Sequence, residues 1–91
     1  MWNSNSIVVT RVQEIKNDKG NYAFIDLVDK DRLGETITGI ARLKDIDYKS
    51  LLVNKEYKAT GLLGARVLKA VDSNGQTVQR KVIALYLTSL S

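Results

Sequence analysis

The stretch Ile7-Val8-Val9-Thr10-Arg11-Val12-Gln13-Glu14-Ile15-Lys16-Asn17-Asp18-Lys19-Gly20-Asn21-Tyr22-Ala23-Phe24-Ile25-Asp26-Leu27-Val28-Asp29 decides how this chain folds. Its first part is rich in β-branched residues, and the apolar phase shifts between Val9, Val12 and Ile15, which a bent or bulged strand requires. Asn17 to Asn21 holds residues that tolerate turn conformations and closes a hairpin. From Tyr22 to Asp29 the alternation is regular. Ala23, Ile25 and Leu27 take one face, and Tyr22, Phe24 and Asp26 the other. One face reads as core, and the other carries two aromatic rings.

Beyond this hairpin the pattern stays β-like. Lys30 to Glu35 is a charged loop. Thr36 to Lys44 reads as a third strand, with Ile37, Gly39, Ala41 and Leu43 alternating against Thr38, Ile40, Arg42 and Lys44. Asp45 is placed to cap one or two helical turns over Ile46 to Leu52, where Tyr48 falls at helical spacing from Leu51 and Leu52. A fourth strand starts at Glu56 and runs through Gly61 and Gly64, which suggest a bend or bulge, to Val71. Asp72-Ser73-Asn74-Gly75 carries the Asn-Gly signal of a two-residue hairpin turn. The last strand is Thr77 to Leu90, with Ile83, Leu85 and Leu87 on one face. Residues 1–6 read as a short polar tail in which Trp2 has no local partner.

Composition narrows the function. The 91 residues contain no His, no Cys and no Pro. The commonest general base, the thiolate nucleophile and the usual zinc ligands are therefore missing. No phosphate-cradling glycine loop or nucleophile elbow occurs. Asp29 to Ile40 lacks the polar fifth position and the terminal Glu of a calcium loop, having Leu33 and Ile40 there. Gly61-Leu62-Leu63-Gly64 has the spacing of a backbone-clamping KH loop but sits in a strand with leucines. The expectation is a single, non-catalytic domain without metal, cofactor or small-molecule substrate. The net charge of +4 favours a polyanionic partner. The longest uncharged runs, Met1 to Thr10 and Val82 to Ser91, are about half a membrane span, so a cytoplasmic protein without a membrane partner is expected.

Five strands, the first long and bent, with a short helix between the third and fourth, match the oligonucleotide/oligosaccharide-binding (OB) fold, a five-stranded Greek-key barrel. The sequence resembles the small single-stranded-DNA-binding proteins of bacterial, phage or plasmid type. Lys19-Gly20-Asn21-Tyr22-Ala23-Phe24 is similar to their basic hairpin leading into an aromatic-bearing strand, and Leu51 to Gly61 to their helix exit and fourth-strand entry. Bacterial members end in an acidic tail, whereas Val82 to Ser91 carries no charge, so the likeness is to the compact phage or plasmid forms.

The resemblance implies that single-stranded DNA crosses the outer face of strands two and three during replication or recombination. Tyr22 and Phe24 would stack bases, Arg42 and Lys44 would meet phosphates, and Thr38 shares their phase. Lys16 and Lys19 at the first hairpin, and Arg66, Lys69, Arg80 and Lys81 at the last, would close over the strand. Trp2 would add a stack or plug the barrel end. Tyr48, Tyr57 and Tyr86 are expected in the core or at the barrel end. The uncharged last strand offers an edge for a homodimer. A protein-interaction module and a single-stranded-RNA binder are the alternatives, since stacking and charge do not read the 2′-hydroxyl.

Overall fold

A computed structural model describes residues 1–91 and is all-β. Its strands are β1 (Trp2–Asn17), β2 (Gly20–Asp29), β3 (Glu35–Arg42), β4 (Glu56–Val71) and β5 (Thr77–Leu90). They form one sheet that closes into a ring in the order β1-β2-β3-β5-β4. All neighbours are antiparallel except β3 and β5, which meet in parallel over only Gly39↔Leu85 and Ile40↔Tyr86.

β1 serves two neighbours because it bends. Its first half pairs with β4 and its second with β2, and both pairings include Ile7 and Val8. The β1/β2 register slips between Val9 and Arg11, leaving Thr10 as the extra residue, so Val9 and then Val12 both turn inward. This bulge accounts for the apolar phase shift in the sequence. Ile15 needs no second bulge, since it lies opposite Tyr22 on the outer face.

Residues 1–6 are not a tail. Trp2, Asn3 and Ser4 pair with Gly61, Thr60 and Ala59 of β4. Trp2 is 8% exposed and joins the core with Ile7, Val9, Ala23, Ile25, Leu27, Tyr48, Leu85 and Leu87. A turn of 3₁₀ helix at Lys30–Arg32 clamps this strand. Arg32 stands over the Trp2 ring at 5.1 Å, donates to the Asn3 carbonyl at 3.1 Å and pairs with the buried Asp29 carboxylate at 2.5 Å. Asp29 also accepts from the Ser4 hydroxyl at 2.7 Å. The clamp joins residues far apart in the chain, so no local pattern could announce it.

The helix expected over Ile46 to Leu52 does not form. Only Tyr48–Ser50 makes a 3₁₀ turn, and Leu51 is already extended. Asp45 is not its cap, because its carboxylate pairs with Arg42 at 3.1 Å. The segment is also too short to offset the cost of helix nucleation. Tyr48 is instead buried at the end of the ring, its hydroxyl donating to Glu14 at 2.8 Å.

The Asn74-Gly75 turn departs from the two-residue form, in which both residues need positive φ. Only Gly75 has it, at 79°, and the Asp72 side chain accepts from the Asn74 and Gln76 amides to hold a longer loop. This loop tips an arm. Past Leu63 and Leu85, β4 and β5 pair only with each other, out to Val71↔Thr77. Eight residues per strand, Gly64 to Val71 and Thr77 to Ala84, project about 26 Å. The radius of gyration of 14.6 Å exceeds the ~12 Å of a compact chain of this length for that reason. Ile83 keeps the inward phase of Leu85 and Leu87 but is 83% exposed, because the arm leaves the ring before it and no core remains there.

Candidate nucleic-acid interface

The outer face of the sheet carries a continuous cross-strand row. Phe24 lies opposite Ile40, Ile40 beside Tyr86, and Tyr86 opposite Leu62, so one line of side chains crosses β2, β3, β5 and β4. Tyr22 and Arg42 form the next row. Alternation along each strand places these residues outward by the same geometry that sends Ala23, Ile25 and Ala41 into the core.

Ile40, Tyr86 and Leu62 of this row floor an open cleft of about 790 Å³, whose walls are the β1–β2 hairpin, the end of β3 and the base of the arm. Five expected site residues line it: Lys19, Tyr22, Arg42, Lys44 and Arg66. Phe24 borders it beneath Arg66, whose guanidinium lies 5.6 Å from the ring centroid. Tyr22 and Phe24 pack nearly perpendicular, at 80° and 5.7 Å.

Tyr86 belongs to this face, against the expectation that it packs inside. It is 36% exposed and lines the cleft. Its ring lies over Gly64, where an added Cβ would come within 2.9 Å of Tyr86 Cε2. Glycine thus lets the ring lie against the sheet. The alternation of Ile83, Leu85 and Leu87 already gives Tyr86 the outward phase, and only its aliphatic neighbours in sequence make it resemble a core residue.

Electrostatically the cleft is basic with one exception. Lys19, Lys44 and Arg66 take part in no ion pair, whereas Asp45 faces Arg42 inside the cleft and offsets it. The other expected residues fall outside. Lys16 lies 3.8 Å from Glu14, and Thr38 donates to Asp26 at 2.7 Å. Trp2 is in the core. Arg80 shares the outer face of the arm with Arg66, while Lys69 and Lys81 occupy its opposite face. Tyr57 accepts from the Leu52 amide at 2.9 Å beneath Lys55.

The inward-phase face of the arm is open and mixed: Leu63 at 62% and Val71 at 70% exposure stand with Val67 and Ile83, interspersed with Lys69, Gln79 and Lys81. Both strand edges of the arm lack neighbours, while Leu85 and Tyr86 are bonded on both sides. Free edge therefore runs along Gly64 to Val71 and Thr77 to Ala84, and Leu87 to Leu90 at the uncharged end of β5 have no β3 partner either.

No three His, Cys, Asp or Glu residues gather as a metal site, and no helix is long and apolar enough to cross a membrane. No model of a known protein family matches the chain, nor does any curated protein or solved structure.

Proposed function

We propose that this chain is a non-catalytic binding protein for single-stranded DNA, with little sequence preference, built on a barrel of the OB type and serving replication or recombination. One observation carries the reading: Ile40, Tyr86 and Leu62, with Tyr22 beside them and Phe24 at the border beneath Arg66, form an aromatic and apolar row in an open cleft with four cations at its walls. Stacking is worth about 1–3 kcal/mol per base and tolerates any sequence, and cations track the backbone.

Up to four phosphates can meet Lys19, Arg42, Lys44 and Arg66. At about 0.7 per phosphate, log Kd rises with log salt with a slope near 3, somewhat less for the charge that Asp45 offsets. Titrating labelled oligo-dT across a salt series, with duplex and oligo-U competitors, tests this. Saturable binding with that slope and a preference for single strands over duplex supports it. Equal competition by oligo-U makes RNA an equal ligand, and no binding at low salt refutes the reading.

The protein acts as a homodimer joined through the arm, whose free edge and exposed Leu63, Val67, Val71 and Ile83 suit a second copy of the same element. Light scattering should give twice the 10.2 kDa of one chain. Ile83→Glu with Val67→Glu should return it to one, and a wild-type monomer at high concentration removes the dimer from the proposal.

A further inference from the structure

Phe24 is not an open stacking surface. The Arg66 guanidinium reaches from the base of the arm to stand over its ring, 5.6 Å from the centroid, inside the ~6 Å reach of a cation–π contact. A base inserted between them needs two stacking layers, about 7 Å. It would have to expel the guanidinium. Tyr22 cannot continue a column of bases stacked on Phe24, since the two rings are 80° apart.

Arg66 is in none of the ion pairs, so nothing but the ring holds it, and it lines the cleft from above Phe24. A guanidinium is planar, weakly hydrated and itself a stacking surface, which an ammonium is not.

Resting on the single-strand reading above, we propose that Arg66 is a base-stacking residue: an unpaired base lies on its guanidinium, which lies on Phe24, in a three-layer stack. This role differs from that of Lys19 and Lys44, which act as point charges. It makes the arm part of the binding surface, because β4 supplies the middle layer and β2 the bottom one.

The test compares Arg66→Lys and Arg66→Ala in oligo-dT titrations over a salt series, with melting curves confirming the fold and an abasic oligomer of equal length as second ligand. Arg66→Lys keeps the charge and removes the plane. It should weaken oligo-dT binding roughly tenfold with an unchanged salt slope, yet bind the abasic oligomer as the unsubstituted protein does. In a Phe24→Leu background, Arg66→Lys should lose most of its effect on oligo-dT. An Arg66→Lys protein within twofold of the original on oligo-dT, with Arg66→Ala lowering the salt slope by about 0.7, makes Arg66 a phosphate contact and overturns the inference while leaving single-strand binding intact. Failure of the unsubstituted protein to bind oligo-dT at all overturns both.

Discussion

Replacing Tyr86 by Leu isolates what an aromatic face contributes at the centre of the proposed site. Tyr86 sits between Ile40 and Leu62 in the outer row, and its ring covers Gly64. Leucine keeps an apolar side chain over the glycine and changes no charge, so the sheet and the salt slope should persist. What disappears is one stacking surface, about 1–3 kcal/mol, which corresponds to a roughly 5- to 150-fold weaker Kd. Because Tyr86 is only partly exposed and one side of its ring lies over Gly64, a base can cover only one face, and the lower half of that range is expected. Fluorescence anisotropy of labelled oligo-dT at several salt concentrations measures both Kd and slope. Tyr57→Leu is the control, since that ring lies beneath Lys55 away from the cleft. A Tyr86→Leu protein that melts normally and binds within twofold of the original refutes the assignment of this face to stacking.

Asp45→Asn removes the one carboxylate in the cleft and releases Arg42, so oligo-dT should bind several-fold tighter and the salt slope should steepen by about 0.7; calorimetric titration reads both. Asp29→Asn should lower stability by about 2–3 kcal/mol in urea unfolding, because Arg32 and Ser4 lose a buried anionic partner. Burial by itself pushes the Asp29 carboxyl up, but the bonds from Ser4 and Arg32, the guanidinium charge and the Asp31 amide outweigh it and hold it below its ordinary 3.8. Its contribution is therefore present above about pH 4 and lost as pH falls through the lower folded value, so the Asn variant should flatten the acid limb of a stability profile. Burial and then the Glu14 carboxylate push the Tyr48 hydroxyl up to about 12. Its stabilisation is complete below about pH 10 and fades as pH rises through about 12, and Tyr48→Phe should remove that alkaline decline from melting curves.

Much of the fold was legible because period-two alternation is a local signal. It put Ala23, Ile25 and Leu27 inside and Tyr22 and Phe24 outside, and it marked β5 from Thr77 to Leu90. Other features depended on partners distant in sequence. Trp2 looked unpartnered because its neighbours are Gly61 and Arg32. Asp45 looked like a helix cap because a short polar residue before an apolar run has that appearance, until Arg42 claims it. Ile83 followed the alternation of a core strand and was still exposed, since phase says which way a side chain points and not what stands there to cover it.

The sequence by itself determined the all-β class, the bulge between Val9 and Val12, the positions of the two hairpins and the outward phase of Tyr22, Phe24 and Arg42, whereas Lys44, read as the end of the third strand, lies in the turn after Arg42. These follow from steric preferences and hydrophobic alternation acting over a few residues. Only the tertiary structure decided that Tyr86 stands beside Ile40, that Arg66 covers Phe24 and that Lys69, Arg80 and Lys81 ride on an arm outside the cleft. Those placements are set by strand order and register across the sheet. The parallel contact of β3 with β5 at Ile40 and Tyr86 brings together residues that no local period links.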